Sequence, residues 1–403
     1  MNAIAALFKD GGAGPKAARD EGYRDAMAIA YARFPDDETK LFYGLAILGT
    51  IGEGTKGFER QAQAAKLFEE VYARSPDHPG VLHYLIHAYD DPVHAEQGLE
   101  AARRYAKAAA AVPHALHMPS HIFIRLGLWQ DSITSNIAAN TAGARAAEIH
   151  LAESHYQTHA MDFLSYSYLQ SGQEAKAREV IEHTDHVVGA SEESKSDDRA
   201  YLAARTALEL HRWKEAAALP IPPLRKSWQD TTFWARAIGA ARTGNVAAAE
   251  SAIKELTQLV ADREKRARKR GYPVSNEKAS DLREAEAWLA FAKGKSDEAL
   301  QELRAAADRQ DKDGGESVGI PAREMLADML SELKRPAEAL AEYQTDIKNS
   351  PNRFDALLGA ARAAQAAGDA AVAQSFYAQL ASICSPGADR PELAEVKTFL
   401  ARK

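Results

Sequence analysis

Cysteine is almost missing from this sequence: Cys384 stands alone among 403 residues. A single thiol excludes an intramolecular disulfide framework and any multi-thiolate metal site, and no neighbour in sequence would lower its pKa, so it reads as a small buried apolar residue. Long apolar runs are missing too. No stretch approaches the roughly 18 apolar residues that a membrane-spanning helix requires, and the opening MNAIAALFKDGG carries an apolar run too short for a secretory segment. The chain as written therefore reads as cytoplasmic, with no membrane span. Positive charge is in short supply, with a formal net charge of −7. The one basic block, ADREKRARKRGY at 261–272, reads as a solvated helix end or loop. Phosphate recognition needs a basic stripe that releases counterions, so no nucleic-acid partner is expected.

Familiar catalytic signatures are lacking as well. Gly54, Thr55 and Lys56 in ILGTIGEGTKGFE stand in the wrong order for a phosphate-binding loop, and no strand precedes them. No Ser/His/Asp elbow, Gly-rich cofactor loop or Cys/His dyad occurs. The residues fix no reaction class, and whether the chain is an enzyme is left open.

What is present is helix. From residue 16 onward amphipathic segments of helical length alternate with short turns, and no run of alternating β-branched residues is long enough to make a sheet. At 403 residues the chain exceeds one ordinary core, which points to several domains or to repeats growing in one dimension. One figure keeps returning at the turns. A turn residue is followed two positions on by a variable side chain and five on by a small one: Gly127, Trp129, Ser132; Gly172, Glu174, Ala177; His211, Trp213, Ala216; Gly244, Val246, Ala249; Gly294, Ser296, Ala299; Gly368, Ala370, Ala373. Glycine at such a turn takes a left-handed conformation, and the small residue lets the second helix approach the first. A second figure marks the other end of the unit, with a small residue, an aromatic four later and a proline twelve later: Ala64, Phe68, Pro76; Ala101, Tyr105, Pro113; Ala339, Tyr343, Pro351.

With these spacings the chain resembles the tetratricopeptide repeat family, whose helix-turn-helix unit is roughly 34 residues long. The resemblance implies an all-α, right-handed α-solenoid of about nine units running through 1–403 as a single body. Within it, 78–185 forms a histidine-rich portion and 200–403 a histidine-poor, alanine-rich one. It also implies a concave inner surface lined by the first helix of each unit, of the kind that receives a peptide or protein partner.

Ten of the thirteen histidines lie between residues 78 and 159, and none follows His211. Pro79 starts a helix expected to run to about Asp90, so His83 and His87, four apart, share a face with Asp90 about one turn further on. Pro119 is expected to start the next inner helix. That places His121 and Arg125 on one face and leaves His114 and His117 on a linker that could fold over the helix start. A third helix, from about His150 to Gln170, aligns His155, His159, Asp162 and Tyr166 in a polar stripe.

If the three inner helices converge, His83, His87, His121, His155 and His159, with Asp90 and Asp162, make a candidate set for a divalent transition metal: zinc, copper, nickel or non-haem iron. Arg125, Tyr84, Tyr166, His114 and His117 are candidate contacts for a small-molecule ligand. His94, His150, His183, His186 and His211 read as surface or loop residues. The alternative function is a non-enzymatic scaffold that holds a peptide or protein partner in the concave groove. The phrases HPGVLHYLIHAYDD and HALHMPSHIFIRLGLWQDSITSN are similar to the signature of a bacterial subfamily of these repeat proteins, over roughly 40–185. Members of that subfamily commonly carry an export signal upstream, which implies a periplasmic location if such a segment precedes this chain; the resemblance implies no activity.

Overall fold

The computed structural model describes residues 3–8, 11, 14–52, 57–222, 229–269, 277–315 and 318–401. Gly54, Thr55 and Lys56, and residues 270–272 of the basic block, lie outside them. The described residues are helical throughout, with no strand among them. Among the described residues, two N-terminal helices, Ala3–Leu7 and Lys16–Arg33, precede nine helix pairs that begin with Asp37–Gly49 and Glu59–Tyr72 and end with Phe354–Ala366 and Ala370–Ile383; Leu393–Leu400 follows. This is the α-solenoid that the spacing implied.

Local chemistry explains the repetition. Gly127, Gly172, His211, Gly244, Gly294 and Gly368 all have positive φ, the left-handed conformation that closes the first helix of a pair. The small residues five positions on, Ser132, Ala177, Ala216, Ala249, Ala299 and Ala373, are all fully buried. The aromatics Phe68, Tyr105 and Tyr343 are buried against the facing helix, each contributing about 2 kcal/mol of apolar burial. Space for them is made on the opposite side: a Cβ added at Gly359 would overlap the Tyr343 ring.

Three boundaries differ from expectation. The segment before Pro119 is not a linker but the helix Pro113–His117, which continues into Pro119–Arg125. Met118 between them is helical, with φ −50° and ψ −37°. Pro119 removes one amide donor and divides the run into two short helices, while its fixed φ suits the first position of the second. The third helix starts at His155, because His150 takes a left-handed φ of 57° that ends the preceding helix Trp129–Glu148. The first histidine helix ends at Ala88, two residues short of Asp90.

The solenoid also closes on itself. Trp129 Nε1 donates to Asn352 O at 2.8 Å, Ser385 N to Ser171 O at 3.1 Å and Asp389 N to Gly172 O at 2.8 Å. The Asp389 carboxylate accepts from Glu174 N at 2.6 Å and Ala175 N at 3.0 Å, where the positive end of a helix favours an anion. Between the two arms sits Arg353, fully buried. It pairs with Glu324 (Nε to Oε2, 2.9 Å) and Glu209 (Nη2 to Oε2, 3.0 Å), and donates to Tyr166 Oη at 2.6 Å and Gly319 O at 2.8 Å. A desolvated guanidinium costs several kcal/mol unless its partners are this complete. Glu209 and Glu324 are buried with it, so the whole ion cluster is withdrawn from solvent.

Candidate metal centre

Three consecutive inner helices carry the histidines to one place. The helix Pro79–Ala88 begins at His78, whose Nδ1 accepts from Val81 N, and it presents His83 and His87. The run Pro113–Arg125 presents His114, His117 and His121. The helix His155–Gln170 presents His159. Two groups of three result: His83, His87 and His114, and His117, His121 and His159. In each group, one ring nitrogen per residue lies within 4.8 Å of the other two.

The second group is the more enclosed. His117 is 2% exposed. Asn136, on the adjacent helix Trp129–Glu148, donates through Nδ2 to Ser132 O at 2.9 Å. This orients its Oδ1 as an acceptor, and His117 Nδ1 donates to it at 2.7 Å. On the other side, His121 Nδ1 donates to Asp90 Oδ2 at 3.0 Å, and Arg125 Nε donates to Asp90 Oδ1 at 2.9 Å. With both Nδ1 atoms committed, the Nε2 atoms of His117 and His121 face each other at 3.2 Å. Phe163 closes the group, its ring centroid 4.6 Å from that of His117, 4.9 Å from His121 and 5.2 Å from His159.

In the first group, His83 Nε2 faces His87 Nε2 at 3.0 Å and His114 Nε2 at 3.2 Å. Tyr105 stacks on the His83 ring with centroids 5.5 Å apart, and Tyr84 flanks it at 5.6 Å.

Electrostatics favour the neutral imidazole. Burial, followed by the neighbouring histidines, pushes His83 down to about 3 and His87 and His159 down to about 4. His117 is held well below its ordinary value and His114 is lowered, burial being the first cause in both. Each therefore offers a ring lone pair at neutral pH. Burial opposes the charge of Asp90, but the His121 hydrogen bond and the Arg125 charge outweigh it and hold the carboxyl well below the usual carboxylate range.

Not every candidate joins the cluster. His155 is exposed at the start of its helix, its ring centroid 5.7 Å from that of His159. Asp162 pairs with buried Arg205, which also donates to the Asp162 backbone oxygen at 2.7 Å. Tyr166 is buried against Arg353. Arg125 is taken up by Asp90 and by Gly314 O, to which Nη1 donates at 3.1 Å. Asp90 reaches the cluster only through His121 Nδ1, behind the ring. Asn136 was missed, and its signal was a polar amide inside a helix. His114, His117 and His121 were separated by reading Pro119 as a start, although their steps of three and four are the helical ones. Outside the cluster, His94 pairs with Asp91 at 2.8 Å, His211 stacks on Trp213, and burial pushes the Cys384 thiol up to about 11.

Two cavities meet at Asp90 and Asp91. One, of about 440 Å³, is lined by His87, Asp90, Asp91, Leu45 and Leu48. The other, of about 760 Å³, reaches from Asp90 and Arg125 to Tyr201, Trp234 and Glu284.

Among the described residues, the fold and the cluster define an all-α helical-repeat solenoid bearing two histidine triads. No family model matches the chain, and no curated protein does. Among solved structures it is similar to a tetratricopeptide repeat protein from Parabacteroides merdae, at 15% identity over 72% of this chain and 97% of that one, with a TM-score of 0.37. It is also similar to the human IFIT1 dimer with m7Gppp-AAAA, at 14% identity over 94% and 80% with a TM-score of 0.40, and to yeast Tom70, at 12% over 98% and 95% with a TM-score of 0.35. Overlaps this loose transfer no ligand, partner or activity. No helix among the described residues is long and apolar enough to cross a membrane.

Proposed function

We propose that the chain holds a transition-metal ion on His117, His121 and His159, in an open three-imidazole site that leaves a position for water or a small ligand. The observation that carries this reading is the 3.2 Å approach of two Nε2 atoms whose partner nitrogens are already committed as donors to Asn136 and Asp90. An Nε2 pair so arranged needs a cation or a proton between the two nitrogens. Nitrogens bound to one tetrahedral metal at about 2.0–2.1 Å would stand roughly 3.3 Å apart. The Asp90–His121 contact is the carboxylate–histidine arrangement that raises ligand basicity in such sites.

The donor set is nitrogen only, which suits zinc or copper better than the carboxylate-containing sets of non-haem iron.

The experiment is elemental analysis and zinc titration of the full chain without a polyhistidine tag, compared with His121→Gln and His159→Ala, with helicity checked by circular dichroism. At least one tightly held ion in the wild type, with at least one fewer in both folded variants, is expected. A wild type that binds zinc no more tightly than the variants would overturn the reading.

A further inference from the structure

The second triad deepens that reading, on which the following rests. His83, His87 and His114 do not form a separate site elsewhere on the surface. His114 and His117 belong to one helical run and their rings are 6.4 Å apart, and across the helix boundary the rings of His87 and His121 are also 6.4 Å apart. The triads therefore touch along two edges, each contributing three imidazole nitrogens, with no carboxylate in either donor group. Within the first triad the Nε2 atoms of His87 and His114 both converge on His83 Nε2. The three ring nitrogens lie within 4.8 Å of one another, a donor set that a single metal ion can engage at once.

Ring centroids 6.4 Å apart at both edges make the two triads immediate neighbours, the placement that a two-metal site sharing one ligand requires. We infer that the two triads are halves of one dinuclear site, which takes two copper(II) ions sharing a bridging hydroxide. Copper is favoured by the imidazole-only donors and by its place at the top of the divalent affinity order. The hydroxide comes from a bound water that releases its proton to solvent, so no oxidant or reductant is required. Asp90, accepting from His121 and lining one cavity with His87, supplies negative charge at the junction, where two cations would otherwise repel.

The test is a copper(II) titration of the untagged, chelator-stripped full chain at neutral pH, read by elemental analysis after removal of loosely held metal and by electron paramagnetic resonance. Two equivalents should be retained. The resonance signal should grow with the first and fall with the second, as the two spins pair through the bridge. His83→Gln, which preserves side-chain volume, should retain one equivalent and its full signal. Wild-type saturation at one equivalent overturns the pair while leaving the single-metal site standing. Two retained equivalents with the full signal of both overturn the bridge and hence the dinuclear site. Failure to retain any copper sinks both readings together.

Discussion

Asp90→Asn is the perturbation that asks most directly whether the cluster is built around a metal. The carboxylate accepts from His121 Nδ1 at 3.0 Å and from Arg125 Nε at 2.9 Å. An amide in its place keeps the volume and one acceptor atom but loses the charge. His121 then becomes a weaker base, its tautomer is no longer fixed, and the Arg125 cation remains beside the site. Losing an outer partner of this kind lowers metal affinity by about 10- to 100-fold, or roughly 1.4–2.7 kcal/mol at the usual conversion.

The assay is a zinc competition against a chromophoric chelator, with wild type, Asp90→Asn, His121→Gln and the double variant compared in one buffer. Because Asp90 acts through His121, the double variant should bind no more weakly than His121→Gln alone, a coupling that independent sites would not show. Asp90→Asn binding within about twofold of wild type while remaining folded would refute the reasoning, since it would leave the Asp90–His121 contact with no part in orienting a donor.

His155→Ala should leave zinc affinity unchanged within error in the same competition assay, because His155 lies outside both triads; a tenfold loss would place it in the site. Arg353→Met should destabilise the fold by about 3–5 kcal/mol in urea unfolding at pH 7 by stranding Glu209 and Glu324. Adding Glu209→Gln and Glu324→Gln should recover part of the loss, and recovery of none would mean that charge is not the cause. Asp198 supplies a pH dependence: burial first, then the charges of Asp197 and Asp162, push its carboxyl up to about 6. Its folded pKa is above the unfolded value, so the folded state keeps the proton longer and stability falls as pH rises from about 4 to 6. Asp198→Asn should therefore be more stable than wild type at pH 7.5, by about 1 kcal/mol after solvent screening, and equal to it near pH 4. Thermal unfolding across that range checks the sign, which a stabilising effect confined to low pH would reverse.

The repeat was legible because its determinants are local. A left-handed turn at Gly172 and a buried Ala177 five residues later depend only on the two helices that they join, so spacing alone reveals them. Closure was not legible. Arg353 meets Glu209 across 144 residues and Tyr166 across 187, and nothing in the neighbourhood of any of the three announces the others.

The site lies between these extremes. Helical phase gives a side chain's face, and that was enough to bring His83, His87, His121 and His159 together. It does not give which group across the interface will hold that side chain. Asp90 and Asp162 are each three residues beyond a candidate histidine, His87 and His159, and looked equivalent on that ground. What separates them is the next helix over: Arg205 reaches Asp162 and neutralises it away from the cluster, whereas Arg125 and His121 both reach Asp90 and hold it as an anion behind the ring. The same dependence governs Pro119. Read by itself it marks a helix start, but with Met118 already helical it removes one donor and divides a run that still carries His114 and His117 onto the face of His121. A sequence rule for such clusters has to follow the helical phase through a proline and weigh each carboxylate by the nearest arginine, because the arginine decides whether it faces the imidazoles, stands behind one of them or is spent elsewhere.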